Sequence, residues 1–351
     1  MSTHALRFYD CFPPADSFRS EVLEGLGACP KRIAPKFFYD AHGSRLFDAI
    51  CELPEYYLTR AEIEILTTHA REISDLIGPG CLLIELGSGS SHKVRLLLEA
   101  LRPVAYMPVD ISRDHLLRAA RLLAIEYPWL EVHATCIDYC LRLDLPYCPE
   151  GTRKIAFFPG SSIGNFEPEA TVAFLRDVAR VLQPDGALLI GVDLKKDAGV
   201  LHAAYNDSRG ITAQFNLNLL ARINRELGGR FLLDDFEHMA FYDEARGRIE
   251  MHLASRRQQT VHVGGQHFRF AGGRPCIPKT LTNTAWMSSR TSPARLDSSR
   301  CAPGPTGRDC SASIISAPAP PEPSSVPVLT GNPIGSGPIP PRRTAQAGAV
   351  V

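Results

Sequence analysis

The stretch L-I-E-L-G-S-G-S-S, residues 83–91, decides the fold because it reads as a buried strand that runs into a glycine turn and then a helix. Residues 82–86 form a short apolar run, and apolar residues recur at helical spacing from Val94 to Leu101. Glycines allow a tight turn and close approach to a ligand, and the amides at a helix start lack partners. The junction predicts a cofactor site, with an ordinary tight turn as the alternative.

The glycine spacing bears on which cofactor binds. A dinucleotide fingerprint requires a third glycine, and Ser90-Ser91-His92 takes its place here. This pattern favours the looser E-L-G-x-G loop that is typical of S-adenosylmethionine (SAM) methyltransferases. An NAD oxidoreductase on the same kind of sheet is the disfavoured alternative.

Carboxylates follow the next two predicted strands. Residues 105–109 end in Asp110, which lies 23 residues after Gly87, where a doubly wound sheet presents a carboxylate to ribose hydroxyls. Residues 130–136 run to Asp138 and Tyr139, which can hydrogen-bond and stack against adenine. Each of these residues taken alone also fits a turn or a helix cap.

Two more predicted strands complete an alternating pattern of strands and helices. Residues 154–158 lead into a loop of small residues that ends at Asn165, and Asn165 is expected to face the substrate. A helix over residues 167–182 precedes the fifth strand at residues 187–192. Ligands of such sheets bind outside the carboxyl ends of the strands, where all these loops lie.

Composition fits a soluble enzyme. The chain has 351 residues and zero net charge, which argues against nucleic acid or a membrane surface as a partner. Cys136, Cys140 and Cys148 lie near His133, but there is no C-x-x-C pair, so ordinary reduced thiols and no metal are expected. Without a signal peptide or a long apolar segment, a cytoplasmic location is expected.

Longer motifs resemble one family. F-F-Y-D-A-H-G-S-R-L-F-D-A-I from residue 37, L-P-E-Y-Y-L-T-R-A-E from residue 53, P-G-S-S-I-G-N-F from residue 159 and D-L-K-K-D from residue 193 are similar to the histidine-specific SAM-dependent methyltransferases. The resemblance covers residues 30–273. It implies a class I, Rossmann-like α/β fold with a second substrate-binding lobe. It also implies methylation of the α-amino group of histidine to trimethylhistidine (hercynine), the first step of ergothioneine biosynthesis.

The resemblance also assigns the cofactor positions. They are Gly87, Lys93, Asp110, Asp138 and Tyr139.

It places the amino acid on a second set of residues. Tyr56, Asn165 and Tyr205 grip its carboxylate and amine, and Tyr39 lies at the amine end. Asn165 and Tyr39 are the predicted catalytic residues, which orient the amine toward the methyl group. Packing of a helical cap is the alternative role for the tyrosines. Methyl transfer from a sulfonium is an in-line displacement, so alignment is the main task of the protein.

The chain departs from the family after Gly273. Residues 274–351 contain 14 of the 28 prolines, eight basic residues and three acidic ones, a composition typical of disorder. The T-E-x-S motif that holds the imidazole in the family is absent, as are a helix and the last two sheet strands. The fifth strand is therefore expected to be an uncovered edge, and the tail is expected to add no packed element.

Our hypothesis for this departure is a frameshift near Gly273, in the gene or in its sequencing. If residues 274–290 are back-translated and read out of frame, permitted codons spell T-M-H-T-E-N-S-Y-K-Y-S-V-D-E-F-Q, and other family motifs follow in order. The restored frame returns Glu and Ser near positions 279 and 281.

Four regions are predicted. They are an N-terminal helical part of the substrate lobe (1–76), the SAM-binding core (77–196), an inserted substrate lobe (197–273) and the aberrant tail (274–351). The protein is expected to be a monomer that methylates histidine. An inactive SAM-binding remnant and an Nα-methyltransferase of another amino acid are the alternatives.

Overall fold

The structure, a computed structural model, describes residues 6–11, 16–141, 143–282 and 310–316. Its strands are β1 (Arg7–Asp10), β2 (Leu82–Leu86), β3 (Ala105–Asp110), β4 (Glu131–Cys136), β5 (Lys154–Phe158), β6 (Ala187–Asp193), β7 (Phe236–Asp243), β8 (Arg248–Ser255), β9 (Gln259–Val263), β10 (Gln266–Phe270), β11 (Arg274–Thr282) and β12 (Cys310–Ser316). Its helices are α1 (Asp16–Gly27), α2 (Ala41–Cys51), α3 (Tyr57–Ile77), α4 (His92–Leu101), α5 (Arg113–Glu126), α6 (Pro168–Leu182), α7 (Ala198–Tyr205) and α8 (Ile211–Leu227).

A seven-stranded sheet forms the centre of the fold. Its order is β1-β4-β3-β2-β5-β6-β12, and every neighbouring pair is parallel except β6 with β12. From β2, the chain adds β3 and β4 on one side of the sheet and later adds β5 and β6 on the other side. The connections after β2 and β5 therefore run in opposite directions and leave a crevice at the carboxyl edge of these strands. Ligands of open α/β sheets bind at such a point. The predicted α/β fold with a parallel central sheet is confirmed.

The sheet is buried on both faces, as parallel strands with helical crossovers require. Leu82, Ile84 and Leu86 face one side and pack in a cluster with residues of α6. Leu83 faces the other side, in the cluster that contains the apolar residues of α3, α4 and α5. The helical spacing from Val94 to Leu101 thus buries α4 against the sheet.

A second group of elements follows β6. Helix α8 contacts a three-stranded antiparallel sheet in the order β11-β8-β7. Strands β9 and β10 form a hairpin whose turn is Gly264-Gly265, and both glycines have a positive φ. Two glycines with positive φ suit the tight turn of such a hairpin.

The tail adds strands that the sequence did not lead us to expect. The prediction of an uncovered edge beside β6 is wrong, because β12 pairs with β6 along its whole length, from Cys310 opposite Asp193 to Ser316 opposite Ala187. Residues 310–316 contain no proline, so their backbone can satisfy the open edge of β6. The expectation that the last sheet strands are missing is therefore wrong for this one strand.

The start of the tail is also paired. Strand β11 pairs with β8, with a register shift between Pro275 and Ile277. Prolines are tolerated here because β11 is an edge strand and the shift lies beside one of them. The rest of the predicted aberrant tail, residues 283–309 and 317–351, lies outside the described residues.

Candidate functional site

The turn after β2 is tied to the neighbouring strand. The amides of Gly87 and Ser88 both donate to the carbonyl oxygen of Val109, at 2.8 and 3.1 Å. Gly87 has φ +71°, and a Cβ added there would lie 3.2 Å from the Tyr139 hydroxyl. Glycine is therefore required both by the backbone conformation and by the close approach of the tyrosine.

A cavity of about 340 Å³ opens beside this turn. Four of the five predicted cofactor residues line it, namely Gly87, Asp110, Asp138 and Tyr139. They follow β2, β3 and β4 at the carboxyl edge of the sheet, as the alternating pattern predicted. The cavity, its glycine backbone and its carboxylates form a set that fits a nucleoside cofactor such as SAM.

Asp110 is held by the backbone around it. One carboxylate oxygen accepts from the Gly89 amide at 2.9 Å, and the other accepts from the Ser112 amide at 2.8 Å. Burial raises the pKa of Asp110, although these two hydrogen bonds oppose the shift. The carboxylate is thus fixed to the glycine turn with its remaining lone pairs available to a ligand's hydroxyl groups.

Asp138 has a partner that the sequence did not reveal. Its Oδ2 accepts from Nζ of Lys36 at 2.8 Å, and its Oδ1 accepts from the Cys140 amide at 3.1 Å. Lys36 also donates to Glu21 at 2.8 Å and lines the cofactor cavity. No sequence motif marks Lys36, because it comes from a short 3-10 turn at Pro35–Phe38 more than a hundred residues before Asp138.

Lys93 occupies a different place from the other cofactor candidates. Its ammonium lies 2.5 Å from Oε2 of Glu62 on α3, and a Cβ added to Gly160 would lie 3.3 Å from the same ammonium. The structure therefore places the Lys93 ammonium beside Gly160, in the loop that follows β5. Its direct contact with the cofactor stays a prediction.

A second, smaller cavity of about 40 Å³ contains the predicted amino-acid residues. Tyr39, Tyr56, Asn165 and Tyr205 all line it, although they come from four separate parts of the chain. Further lining residues that sequence reasoning missed are Phe47, Asp193, Thr212, Phe215 and Met251.

The rings of this cavity pack edge to face. Tyr56 and Tyr205 have centroids 6.0 Å apart, and Tyr39 lies 5.5 Å from both Phe47 and Phe215. The tyrosines thus pack with one another and with phenylalanines while still lining a cavity. Packing therefore does not exclude contact with a ligand, and ligand contact by these tyrosines stays a prediction.

The two cavities meet at Asn165. Asn165 and Tyr39 line both of them, together with Phe47 and Ser162. The Asn165 amide nitrogen donates to the Ser162 carbonyl oxygen at 3.1 Å, which fixes the orientation of the amide. Its Oδ1 is buried and accepts no hydrogen bond from the part of the chain that the structure describes. A buried acceptor in this position suits a donor on a ligand.

Burial also sets the ionisation state of the tyrosines in the two cavities. It raises the pKa of Tyr39, Tyr56 and Tyr139 well above the ordinary value. Their phenol groups are therefore neutral at physiological pH. Such hydroxyls can donate or relay hydrogen bonds, but they do not supply a phenolate base.

Asp193 is a carboxylate in the smaller cavity. Its Oδ2 accepts from the Tyr57 hydroxyl at 2.5 Å, and its backbone amide donates to Ser161 Oγ at 2.9 Å. Lys196 forms an ion pair with it, and the side chains of both residues are almost fully buried. Asp193 therefore joins β6 to α3 and to the loop after β5.

Comparison with known proteins now bears on this geometry. The family described as histidine-specific methyltransferase, SAM-dependent, matches residues 18–277. The chain belongs to this family. The match stops shortly after Gly273, which agrees with the point where the resemblance was predicted to end.

Relatives in the family share much of the sequence. The histidine N-alpha-methyltransferase of Mycolicibacterium smegmatis is 45% identical over 269 residues, which cover 75% of this chain and 83% of that protein. The histidine N-alpha-methyltransferase of Mycobacterium tuberculosis is 44% identical over 252 residues, covering 71% of this chain and 78% of that protein. Among solved structures, the CcbJ methyltransferase from Streptomyces caelestis has a TM-score of 0.36 at 15% identity, covering 62% of this chain and 73% of that one.

Two further findings concern the described residues alone. They contain no helix that is long and apolar enough to cross a membrane. They also contain no group of three or more histidine, cysteine, aspartate or glutamate side chains arranged to hold a metal ion.

Proposed function

We propose that this methyltransferase transfers methyl groups from SAM to the α-amino nitrogen of histidine and produces trimethylhistidine. The observation that carries the proposal is the meeting of the two cavities at Asn165 and Tyr39. An amine held at this junction lies next to both the predicted cofactor residues and the predicted amino-acid residues. The names of the two mycobacterial relatives support the same activity.

SAM supplies an electrophilic methyl group on a sulfonium. Gly87, Asp110, Asp138 and Tyr139 would hold its nucleoside part in the larger cavity. Asn165 Oδ1 would accept an N–H of the substrate amine, which leaves the nitrogen lone pair free to point into the larger cavity. Alignment of this kind accounts for a large part of the acceleration in a bimolecular displacement.

A tyrosine cannot act as the base that takes the proton of the amine, so this proton must leave by another route. Since Tyr39 and Tyr56 are neutral phenols, they orient the amine and relay its proton toward solvent. The reactive amine is the deprotonated form. The rate should therefore rise with pH until the amine of the bound substrate is neutral, and the tyrosines should add no second ionisation in that range.

The aromatic walls suit the later methylation steps. Five aromatic rings line the smaller cavity, namely Tyr39, Phe47, Tyr56, Tyr205 and Phe215, and the first two also line the larger one. A methylated ammonium loses hydrogen-bond donors at each step but keeps its charge, and aromatic rings attract such cations. The rings can therefore hold the mono- and dimethylated intermediates even as the N–H groups that Asn165 would accept are lost.

The backbone register indicates where the imidazole would be read. Position 279 in β11 pairs with Met251 of β8, and Met251 lines the amino-acid cavity. The restored reading frame returns a glutamate and a serine near positions 279 and 281, where this chain has Lys279 and Leu281. A glutamate at position 279, opposite the cavity-lining Met251, would accept a hydrogen bond from an imidazole N–H.

A product analysis tests the proposal. The protein is incubated with methyl-deuterated SAM and, separately, with histidine, tryptophan and tyrosine, and the products are fragmented by mass spectrometry. We expect labelled methyl groups on the α-nitrogen of histidine and little label on the other amino acids. Label on an imidazole nitrogen, or a preference for another amino acid, would contradict the assignment. SAM binding without any product would identify the inactive remnant.

The cytoplasmic location and the monomeric state stay predictions. Size-exclusion chromatography can test the monomeric state.

A further inference from the structure

Glu62 lies where three parts of the site meet. It belongs to α3, and its side chain is only 8% exposed. Both of its oxygens lie 2.9 Å from the Gly160 amide nitrogen, which donates to them. Its Oε2 is also 2.5 Å from the ammonium of Lys93. One buried carboxylate therefore serves a backbone amide and a cation that come from different elements.

The surrounding backbone leaves room for this carboxylate. A Cβ added to Gly191 of β6 would lie 2.0 Å from Glu62 Oε1, so only glycine fits at that position. Gly160 has φ +80° and approaches the Lys93 ammonium closely. A glycine within β6 and a glycine just after the neighbouring β5 thus create the space in which Glu62 and Lys93 meet.

The partners of Glu62 lead to both cavities. Lys93 is the second residue of α4, directly after the glycine turn that lines the cofactor cavity. Gly160 opens the loop that ends at Asn165, and Gly160 itself lines the amino-acid cavity. Tyr56 of the amino-acid cavity immediately precedes α3, the helix that carries Glu62.

We propose that Glu62 is a positioning residue that couples the cofactor turn to the amino-acid loop through Lys93 and Gly160. The inference deepens the proposed function and rests on it for the identity of the two sites. Occupation of the cofactor cavity steadies the glycine turn and the start of α4. Through the ion pair with Lys93, that order is passed to Gly160 and so to Asn165.

Glu62→Gln tests this coupling with little change of shape. The glutamine keeps a carbonyl oxygen that can accept from the Gly160 amide, but it removes the negative charge opposite Lys93. The matched control is Glu72→Gln on the same helix, where the side chain is 56% exposed and contacts His69. A Glu62→Gln/Lys93→Met double variant removes both charges, so it leaves no unpaired buried ammonium. It replaces the single variant in the experiment if the single variant does not fold.

The measurement is hydrogen exchange of the full chain with and without S-adenosylhomocysteine at a concentration that saturates each variant. Mass spectrometry with fragmentation reads the peptide that covers residues 159–166 at Gly160 and Ser161, because Ser162 and Asn165 line the cofactor cavity themselves. In the unaltered protein and in Glu72→Gln, the ligand should slow exchange in this peptide about tenfold, within the usual range for coupled sites. In Glu62→Gln, or in the double variant, the slowing should fall below about twofold.

The outcomes separate coupling from a merely structural role. A structural role would speed exchange equally with and without the ligand, and that result would overturn the proposal. The same ligand-dependent slowing in Glu62→Gln as in the unaltered protein would also overturn it, as would no slowing in the unaltered protein. The test uses no amino acid, so a failure to methylate histidine would count against the proposed function and leave this result standing.

Discussion

Replacement of Asn165 by alanine should weaken the binding of histidine far more than that of the cofactor. The side chain offers one buried acceptor, Oδ1, which accepts no hydrogen bond from the described part of the chain. The proposed donor is the substrate amine, which binds as the charged ammonium before it loses the proton for methyl transfer. Hydrogen bonds to charged groups contribute about 1.5–3 kcal/mol, so the dissociation constant of histidine should rise roughly 10- to 150-fold.

Calorimetry provides the assay. In one titration, histidine is added to the protein saturated with S-adenosylhomocysteine. In a second titration, S-adenosylhomocysteine is added to the protein without histidine. Because Asn165 also lines the cofactor cavity, a change of up to about threefold in cofactor affinity is expected, roughly 0.6 kcal/mol. Tyr56→Phe is the matched variant, since Tyr56 lines the smaller cavity and the larger one is lined by other residues. Unchanged histidine affinity in Asn165→Ala, or an equal loss for both ligands, would refute the reasoning.

Three further predictions concern the cofactor site, a buried glutamate and the tail. Asp110→Ala should weaken SAM binding by ~1–3 kcal/mol, because the ribose hydroxyls lose a charged acceptor, and unchanged affinity by calorimetry would remove the assignment. Burial raises the pKa of Glu85 from 4.5 to about 8. Between these two pH values the folded protein keeps a proton on Glu85 that the unfolded chain has lost, so the free energy of unfolding falls as the pH rises. Glu85→Gln should therefore raise the melting temperature relative to the unaltered protein more at about pH 9 than at about pH 5, and an equal difference at both would contradict this. Truncation after Thr282 removes β12 and exposes the edge of β6 that faces away from β5, so the melting temperature should fall; no change would show that the pairing with β12 adds no stability.

The core of the fold was readable because its signals are local. A buried strand, a glycine turn and a helix lie within twenty residues, and each later strand carries its own apolar run and polar end. Strand β1 was missed because its four residues, R-F-Y-D, have no such run and pair with β4 more than a hundred residues away. The strand exists through its partner, which local propensity does not record.

The site shows the same limit. Asp110 ends β3, and Asp138 and Asn165 lie in the segments that follow β4 and β5, so their placement at the carboxyl edge follows from the parallel sheet. Lys36 and Glu62 come from helical segments outside the sheet, and only the tertiary contacts bring them to Asp138 and to Lys93. The pairing of β12 with β6 was missed for a related reason. The proline-rich composition describes the tail as a whole, whereas the pairing depends on seven proline-free residues.

Histidine methylation by this chain and by the same chain with its reading frame restored after Gly273 tests the central claim most directly. Both proteins are incubated with SAM and histidine, and mono-, di- and trimethylhistidine are quantified over time by mass spectrometry. The account predicts that the restored chain proceeds to trimethylhistidine, while the present chain forms far less because Lys279 and Leu281 replace the glutamate and serine. Equal turnover would show that the present tail already completes the site. Absence of methylated histidine from both proteins would contradict the proposed function itself.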